Sequence, residues 1–300
     1  MSIHVFANII TTHGTAANNR AETEGNITTL QKLIWHGQPH STVSAEAIRF
    51  ALRRLLADSE ATNRSWDEGQ TANVWRDHKF QGWANETAAT FIDDDLLGFM
   101  TADAATEEGE AGSANVRRAV LEITRAVSIT PWAGDVTFNA ASPGATPSAA
   151  KGKALNPVPY GTEVHATRYQ YGIAMTPERL RQKERAIVAL QGISSLRTVA
   201  GNHGRFLFDF SPEVIVFRIT DDPAPRLLYC FDTPDDGKTV SALALLKRIQ
   251  NGDVAPEELI VGTGDVDDSL SREFKKLKVA VLGVKAATEA ACTALKNKLA

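Results

Sequence analysis

Alternating apolar positions open the chain. Ile3, Val5, Ala7 and Ile9 share one face of the segment Ser2 to Thr12, the two-residue period of a β-strand. A polar loop follows, Thr12 to Glu24, rich in small, amide and hydroxyl residues such as Gly14, Thr15, Asn18 and Asn19, which favour turns over core packing. A loop of that length implies a function. The period then lengthens. Ser44 is placed to cap a helix, Glu46 suits its positive end, and Ile48, Ala51, Leu52, Leu55 and Leu56 recur on one face. At about 100° per residue, Arg49 and Arg53 lie on a common flank beside that face, whereas Arg54 points away from both.

Beyond the helix the pattern weakens. Residues 58 to 90 place Trp66, Trp75 and Trp83 among polar residues with no clean period, which suggests an insertion. Phe91 to Met100 reads as a strand interrupted by Asp93, Asp94 and Asp95, and Thr101 to Asn115 as a mobile acidic loop. Val116 to Ile129 suits either a helix or a strand. From 133 to 161 the chain is dominated by Ala, Gly, Ser, Pro and Thr, with Lys151 and Lys153 its only lysines and with flanks that both look extended, so a protruding hairpin-like loop is expected. Thr176, Pro177 and Glu178 start a helix running toward Leu190. Strands are expected at Arg205 to Phe210, Val214 to Ile219, Leu227 to Phe231 and Leu277 to Val284, with helices at Ser241 to Gln250 and at the C-terminal end. The mixture predicts an α+β fold, an antiparallel sheet with helices on one side.

The 300 residues are 43% hydrophobic and 23% charged, near the globular average, so one principal core is expected. No apolar run approaches the roughly 20 residues of a membrane span, and no secretory pattern opens the chain. A cytoplasmic protein is expected. Cys230 and Cys292 have no framework spacing and are assigned to packing. The formal net charge of −4 means that any nucleic-acid surface must be a local basic patch.

Catalytic and metal motifs are mostly absent. His36 and His40 are four apart, but Gly37 and Pro39 oppose the helix that would align them. Asp265, Asp267 and Asp268 resemble a calcium loop, yet Leu270 stands where glycine is needed and Lys276 where a bidentate glutamate is needed. Gly262-Thr-Gly264 lacks a third glycine, and there is no phosphate-binding lysine loop and no nucleophile elbow. Asp93 and Asp95 could converge on one face of a strand, although a solvated strand end is the simpler reading.

Several segments carry a resemblance. Ala16-Ala-Asn-Asn-Arg20, Glu22-Thr-Glu-Gly25-Asn and Val43-Ser-Ala-Glu-Ala-Ile-Arg49 closely resemble the opening of DevR-type Cascade backbone proteins of type I-B CRISPR systems, in the RAMP superfamily. Asp94 to Met100, Ala126 to Trp132, Val199 to His203 and Asp209 to Glu213 add to the match; the C-terminal third resembles the family less specifically. The resemblance implies an RRM-like (ferredoxin-like) palm, with fingers at 58–90 and a thumb at 133–161. It implies a non-catalytic subunit needing no cofactor, stacked head to tail with copies of itself along a guide RNA (crRNA). Other Cascade subunits, and target DNA reached through the guide, would be its further partners. The guide contacts carried over are Arg20, Arg49 and Arg53, then Asn18 and Asn19, with Arg168, His203 and Arg205 behind them. An exposed finger tryptophan or Phe138 could stack on bases.

Two rival readings follow from the same residues. Related RAMP proteins include endoribonucleases, for which His13 is the one acid–base group available near neutral pH between Thr11 and Ala21. A sequence-specific DNA-binding regulator is the other, although no helix-turn-helix pattern is present.

Overall fold

The structure, a computed structural model, describes residues 2–17, 23–84, 89–103, 113–141, 158–200 and 207–300. Strand β1 (His4–Thr11) turns into β2 (Gly14–Ala17); the short β3 (Thr23–Glu24) and β4 (Ile27–Thr28) precede a hairpin of β5 (Lys32–Trp35) and β6 (Gln38–Val43). Helix α1 (Ala45–Leu56) leads to a second hairpin, β7 (Arg64–Asp67) and β8 (Ala72–Trp75), and to α2 (Ile92–Leu97). Then come the ribbon β9 (Phe99–Asp103) and β10 (Ser113–Arg117), short β11 (Leu121–Ile123) and β12 (Ala126–Ser128), and the longer β13 (Val136–Ala141), β14 (Val158–Thr167) and β15 (Tyr169–Met175). The remainder alternates: α3 (Arg185–Ser194), β16 (Pro212–Thr220), α4 (Leu243–Gln250), β17 (Leu259–Thr263), α5 (Ser269–Lys276), β18 (Ala280–Gly283) and α6 (Val284–Leu299).

The main sheet has nine strands, in the order β18-β17-β16-β1-β15-β12-β6-β5, with β11 also paired to β15. Its pairings are antiparallel except β17 with β18. The α+β expectation holds, but the helices occupy both faces rather than one. Val5, Ala7 and Ile9 pack toward α1, α2, α3 and α6 through Ile48, Leu52, Leu96, Leu190 and Leu295. Phe6 and Ile10, on the opposite face of β1, pack with Val214 and Val216 against Leu245 and Ile249 of α4 and Leu270 and Phe274 of α5. A strand buried on both faces is apolar at successive positions, and β1 is buried from Val5 through Thr11.

Several local expectations are corrected. The segment 91–100 holds α2 followed by β9, not one strand. Asp93, Asp94 and Asp95 are 1%, 3% and 0% exposed, so they are not a solvated end. The acidic stretch after it is partly a ladder, β9 on β10 from Phe99↔Arg117 to Asp103↔Ser113. Gly98 joins α2 to β9 at φ +67°, where an added Cβ would lie 2.3 Å from the Arg117 carbonyl oxygen, so only glycine fits. The undecided stretch 116–129 forms strands, and Gly14–Ala17 of the first loop pairs with β14. Pro177–Arg179 is a single 3₁₀ turn, and the helix proper begins only at Arg185. Leu207–Phe210 is not a strand; Phe208 and Phe210 instead close an aromatic cluster with Tyr169.

Leu227 to Phe231 is also not a strand, for an instructive reason. It crosses the sheet face, where its backbone pairs with buried side-chain amides. The Tyr229 amide donates to Asn8 Oδ1 at 2.9 Å, the Phe231 amide donates to Gln170 Oε1 at 3.2 Å, and Gln170 Nε2 donates to the Phe231 carbonyl at 2.9 Å. Gly172 permits the close approach: a Cβ there would come within 2.4 Å of Leu228.

Asp95 joins three elements. It accepts from Arg117 Nη2 at 2.5 Å, from the Arg181 amide at 3.0 Å and from Arg185 Nη1 at 2.9 Å, and Arg185 also pairs with Glu60. With Arg185 only 2% exposed, Asp95→Ala leaves a buried guanidinium short of its counter-ion. That substitution is expected to cost about 3–5 kcal/mol in urea denaturation; a loss under about 1 kcal/mol would show that the arginines re-pair without it.

Candidate nucleic-acid interface

Helix α1 presents three distinct flanks. Ser44 caps it by accepting from the Ala47 amide at 3.2 Å, and Ile48, Leu52 and Leu56 face the core. Ala47, Phe50 and Arg54, spaced by three and four residues, line a cleft instead, together with Glu46. Arg49 and Arg53 share the flank between, as the helical period predicts.

The cleft has a volume of about 810 Å³. Its far wall is the β7–β8 hairpin, contributing Arg64, Trp66 and Asn73, and its floor includes Leu30, Thr42 and Val43. Ala17 and Ala200 also line it. These are the last described residues before segments 18–22 and 201–206. Asn18, Asn19, Arg20, His203 and Arg205 lie outside the described residues. Trp66, 40% exposed, meets Phe50 edge to face at 6.4 Å between centroids, which gives the cleft an aromatic surface beside two guanidinium groups. Glu46 and Glu68 line it as well. Arg54, set aside by the helical reading, and Arg64, hidden in the insertion, are the cleft arginines that sequence reasoning missed. The signal for Arg54 was present in its i, i+4 relation to Phe50.

Other candidates are held inside the protein. Arg53 Nε donates to Asp93 Oδ2 at 3.0 Å. Arg168 forms a fork on Glu213, with Nε at 2.6 Å and Nη2 at 3.1 Å, while its Nη1 donates to the Gly237 carbonyl at 2.5 Å. Its guanidinium is thus committed to holding β14's end against β16. Arg49 Nε is buried and has no hydrogen-bond partner among the described residues. Phe138, on β13, is 79% exposed, whereas Trp83 lies beneath Arg117 and Arg181, 4.2 and 4.4 Å from its ring centroid.

The hairpin wall is fixed by the acids of α2. Asp93 accepts from the Asn63 amide at 2.7 Å and the Arg64 amide at 3.1 Å, and Asp94 accepts from Asn63 Nδ2 at 2.9 Å. Asn63 in turn accepts from the Asp77 amide at 2.7 Å. Burial, with the Asp93 charge beside it, pushes the Asp94 carboxyl up to about 7, against the stabilising Asn63 bond. Arg53 and Arg64 are lowered from the ordinary arginine value, chiefly by burial, yet both stay cationic at neutral pH.

With this geometry in view, comparison with known proteins is decisive. The model of the family described as "CRISPR-associated negative auto-regulator DevR/Csa2" matches residues 10–185. The chain belongs to the DevR/Csa2 family. A Myxococcus xanthus (strain DK1622) relative of this family's name, "CRISPR-associated protein Cas7/Cst2/DevR", is 58% identical over 298 residues, spanning 98% of each chain. Two solved structures share the fold. A chain of a "CRISPR RNA-guided surveillance complex, pre-nicking" superposes with a TM-score of 0.59 at 13% identity, covering 96% of this chain and 100% of that one. A chain of a "CRISPR RNA-guided surveillance complex" gives 0.56 at 15% identity, covering 98% and 99%. The DevR/Csa2 match spans β2, α1, the β7–β8 hairpin and α2, hence most of the cleft lining.

Two buried histidines, His40 on β6 and His165 on β14, titrate in the opposite sense to Asp94. His165, bonded to Ser41 Oγ at 2.7 Å, is held by burial and by neighbouring His40 down to about 4, and His40 is lowered by burial as well. Between about pH 4 and 6.5 the unfolded chain binds more protons at the histidines, so this contribution to stability falls as pH drops. Asp94 binds more protons folded than unfolded from about pH 4 to 7, so its contribution falls as pH rises through that window. Removing the second effect leaves the first. In Asp94→Asn, which keeps an acceptor for Asn63, urea-derived stability is expected to rise more steeply with pH between 4 and 6.5 than in the parent; an unchanged or flatter slope would reject the assignment.

Proposed function

We propose that this protein is a crRNA-binding backbone subunit of a Cascade surveillance complex, which holds the guide without cutting it. The observation that carries the reading is the end-to-end relation to a CRISPR-associated protein, 58% identical over 98% of both chains. The RNA-guided complexes named in the two structural matches, whose chains share the fold, support it.

In this reading the main sheet is the RRM-like palm, residues 58–90 are fingers and 133–161 a thumb, and copies stack head to tail so that bases of the guide are presented to target DNA. A guide differs from one spacer to the next while the protein does not, so the protein must grip phosphate, ribose and base faces rather than base edges. The cleft suits that task, since it joins Arg54 and Arg64 to the aromatic pair Phe50 and Trp66. Arg20, with Asn18 and Asn19, belongs to the segment that follows Ala17 of the cleft lining, and His203 and Arg205 to the one that follows Ala200. Arg49 and Arg53 stand on the same helix, α1, as Phe50 and Arg54. Arg168, bound to Glu213 and Gly237, is left to structure.

Co-expression with a guide, followed by nuclease digestion of the purified complex, tests the proposal. Protected RNA fragments are expected in a ladder of constant step, with full-length guide recovered when nuclease is omitted. Arg20→Ala and Arg54→Ala should each weaken binding to unrelated guides alike and lower the slope of log K against log salt by about 0.7 to 1. Guide that is shortened without added nuclease, and spared by His13→Ala, would make the protein an endoribonuclease; preference for one upstream DNA sequence over unrelated DNA would make it a regulator.

A further inference from the structure

Beside the large cleft, on the finger side of α1, lies a second cavity of about 230 Å³. Arg53, Arg54 and Arg64 line it, together with the hydroxyl residues Thr62 and Ser65, the amide of Asn73 and the carboxylate of Glu68. Two of these arginines are incompletely bonded. Arg53 uses Nε on Asp93, but its Nη1 is buried without a partner among the described residues; Arg64 has its guanidinium 5.4 Å from the Trp75 ring centroid and a buried Nε without a partner among the same residues. Arg54 is exposed and makes no ion pair among the described residues.

Charge counting points the same way. Arg49 adds a fourth cation that is felt at Arg53, and Arg53 in turn is felt at Arg64. Against these four stand Asp93, Glu68 and Asp94, the last only partly ionised at neutral pH because of its burial. Unpaired N–H groups of buried guanidinium ions are costly, and mutual repulsion of like charges adds to the cost. Structures keep such an arrangement where an anion completes it. A tetrahedral oxyanion can take forked hydrogen bonds from more than one guanidinium and further bonds from Thr62 and Ser65, and the cavity has room for it with several waters.

We infer that this cavity is a phosphate seat, in which Arg53, Arg54 and Arg64 bind a single phosphate group on the finger side of α1. The group could be a phosphodiester of bound nucleic acid or a free phosphate anion. The nucleic-acid source rests on the guide-binding reading; the seat itself rests on the arginines.

The experiment has two arms, run on RNA-free full-length protein and on Arg64→Gln and Arg54→Gln variants whose fold is checked by circular dichroism. In the first, thermal unfolding is followed in inorganic phosphate against chloride at equal ionic strength. Phosphate is expected to raise the midpoint by about 2 °C or more in the parent, and both variants should lose the rise. In the second, labelled single-stranded RNA is titrated over a range of salt. A slope reduced by about 0.7 in Arg64→Gln supports a phosphodiester as occupant, and an unchanged slope with a lost phosphate effect supports a free anion. If the parent binds no RNA, the guide reading fails while the first arm still reads the seat. A phosphate effect absent from the parent, or retained in full by both variants, overturns the seat. Arg54 is exposed, so its substitution keeps the test decisive even where loss of Arg64 disturbs the hairpin.

Discussion

Three successive carboxylates in one short helix hold the parts of this protein in register. Asp93 takes the first residues of the β7–β8 hairpin and Arg53 of α1, Asp94 takes the Asn63 side chain, and Asp95 takes Arg117 of β10, Arg185 of α3 and the 181 amide. Such a buried network is not a large net source of stability, because desolvation of the charges offsets much of the Coulomb attraction. Its effect is geometric. Each carboxylate accepts bonds only where its partners stand, so α1, the hairpin, the β9–β10 ribbon and α3 have one mutual arrangement that satisfies all of them. The first turn of α2 contributes as well, since its free amides favour negative charge there.

The sheet imposes the second constraint. Because both its faces are covered, one by α1, α2, α3 and α6 and the other by α4, α5 and the 227–231 segment, polar groups within it must find partners inside the protein. Asn8 and Gln170 stand at positions where an apolar residue would pack, yet each satisfies the backbone of the crossing segment. Arg218 does similar work at the end of β16, bonding Glu258, Asp222 and the Ala224 carbonyl while 2% exposed. The cleft is therefore mounted beside a sheet whose two faces are both packed.

The sequence made some of this legible. α1 with its Ser44 cap and α4 follow from period, because in each the burial pattern and the residue pattern have the same phase; β1 and β16 follow from their apolar and β-branched runs, and α6 from its run of Ala and Lys. The elements that were misread are those whose partners are distant in sequence. The Asp triplet looks like solvent-facing polarity until Arg117 and Arg185 arrive from elsewhere, and 227–231 looks like a ladder strand although side-chain amides replace its neighbours. Phe6 and Ile10 did signal a second covered face, but alternation at Val5, Ala7 and Ile9 masked it. At the site, the helical period separated Arg54 from Arg49 and Arg53 correctly; which flank meets the cleft depends on the hairpin, whose placement is set by Asp93.

A formal charge of −4 is no obstacle to holding a polyanion. Charges act on a bound strand through a screening length of about 8 Å at physiological salt, so what matters is the field inside the cleft and not the molecular sum. Several acids that make the sum negative act elsewhere: Asp93 and Asp95 are buried against arginines, and Asp268 caps α5 by accepting from the Ser271 amide. The acids that do line the cleft, Glu46 and Glu68, share it with Arg54 and Arg64. By sequestering carboxylates in the network that positions the hairpin, the fold uses the same residues to shape the cleft and to keep their charge out of it. In the proposed guide-binding role, phosphate gripped at Arg54 and Arg64 would meet Trp66 and Phe50 alongside, the combination of cation and ring that suits a strand of any sequence.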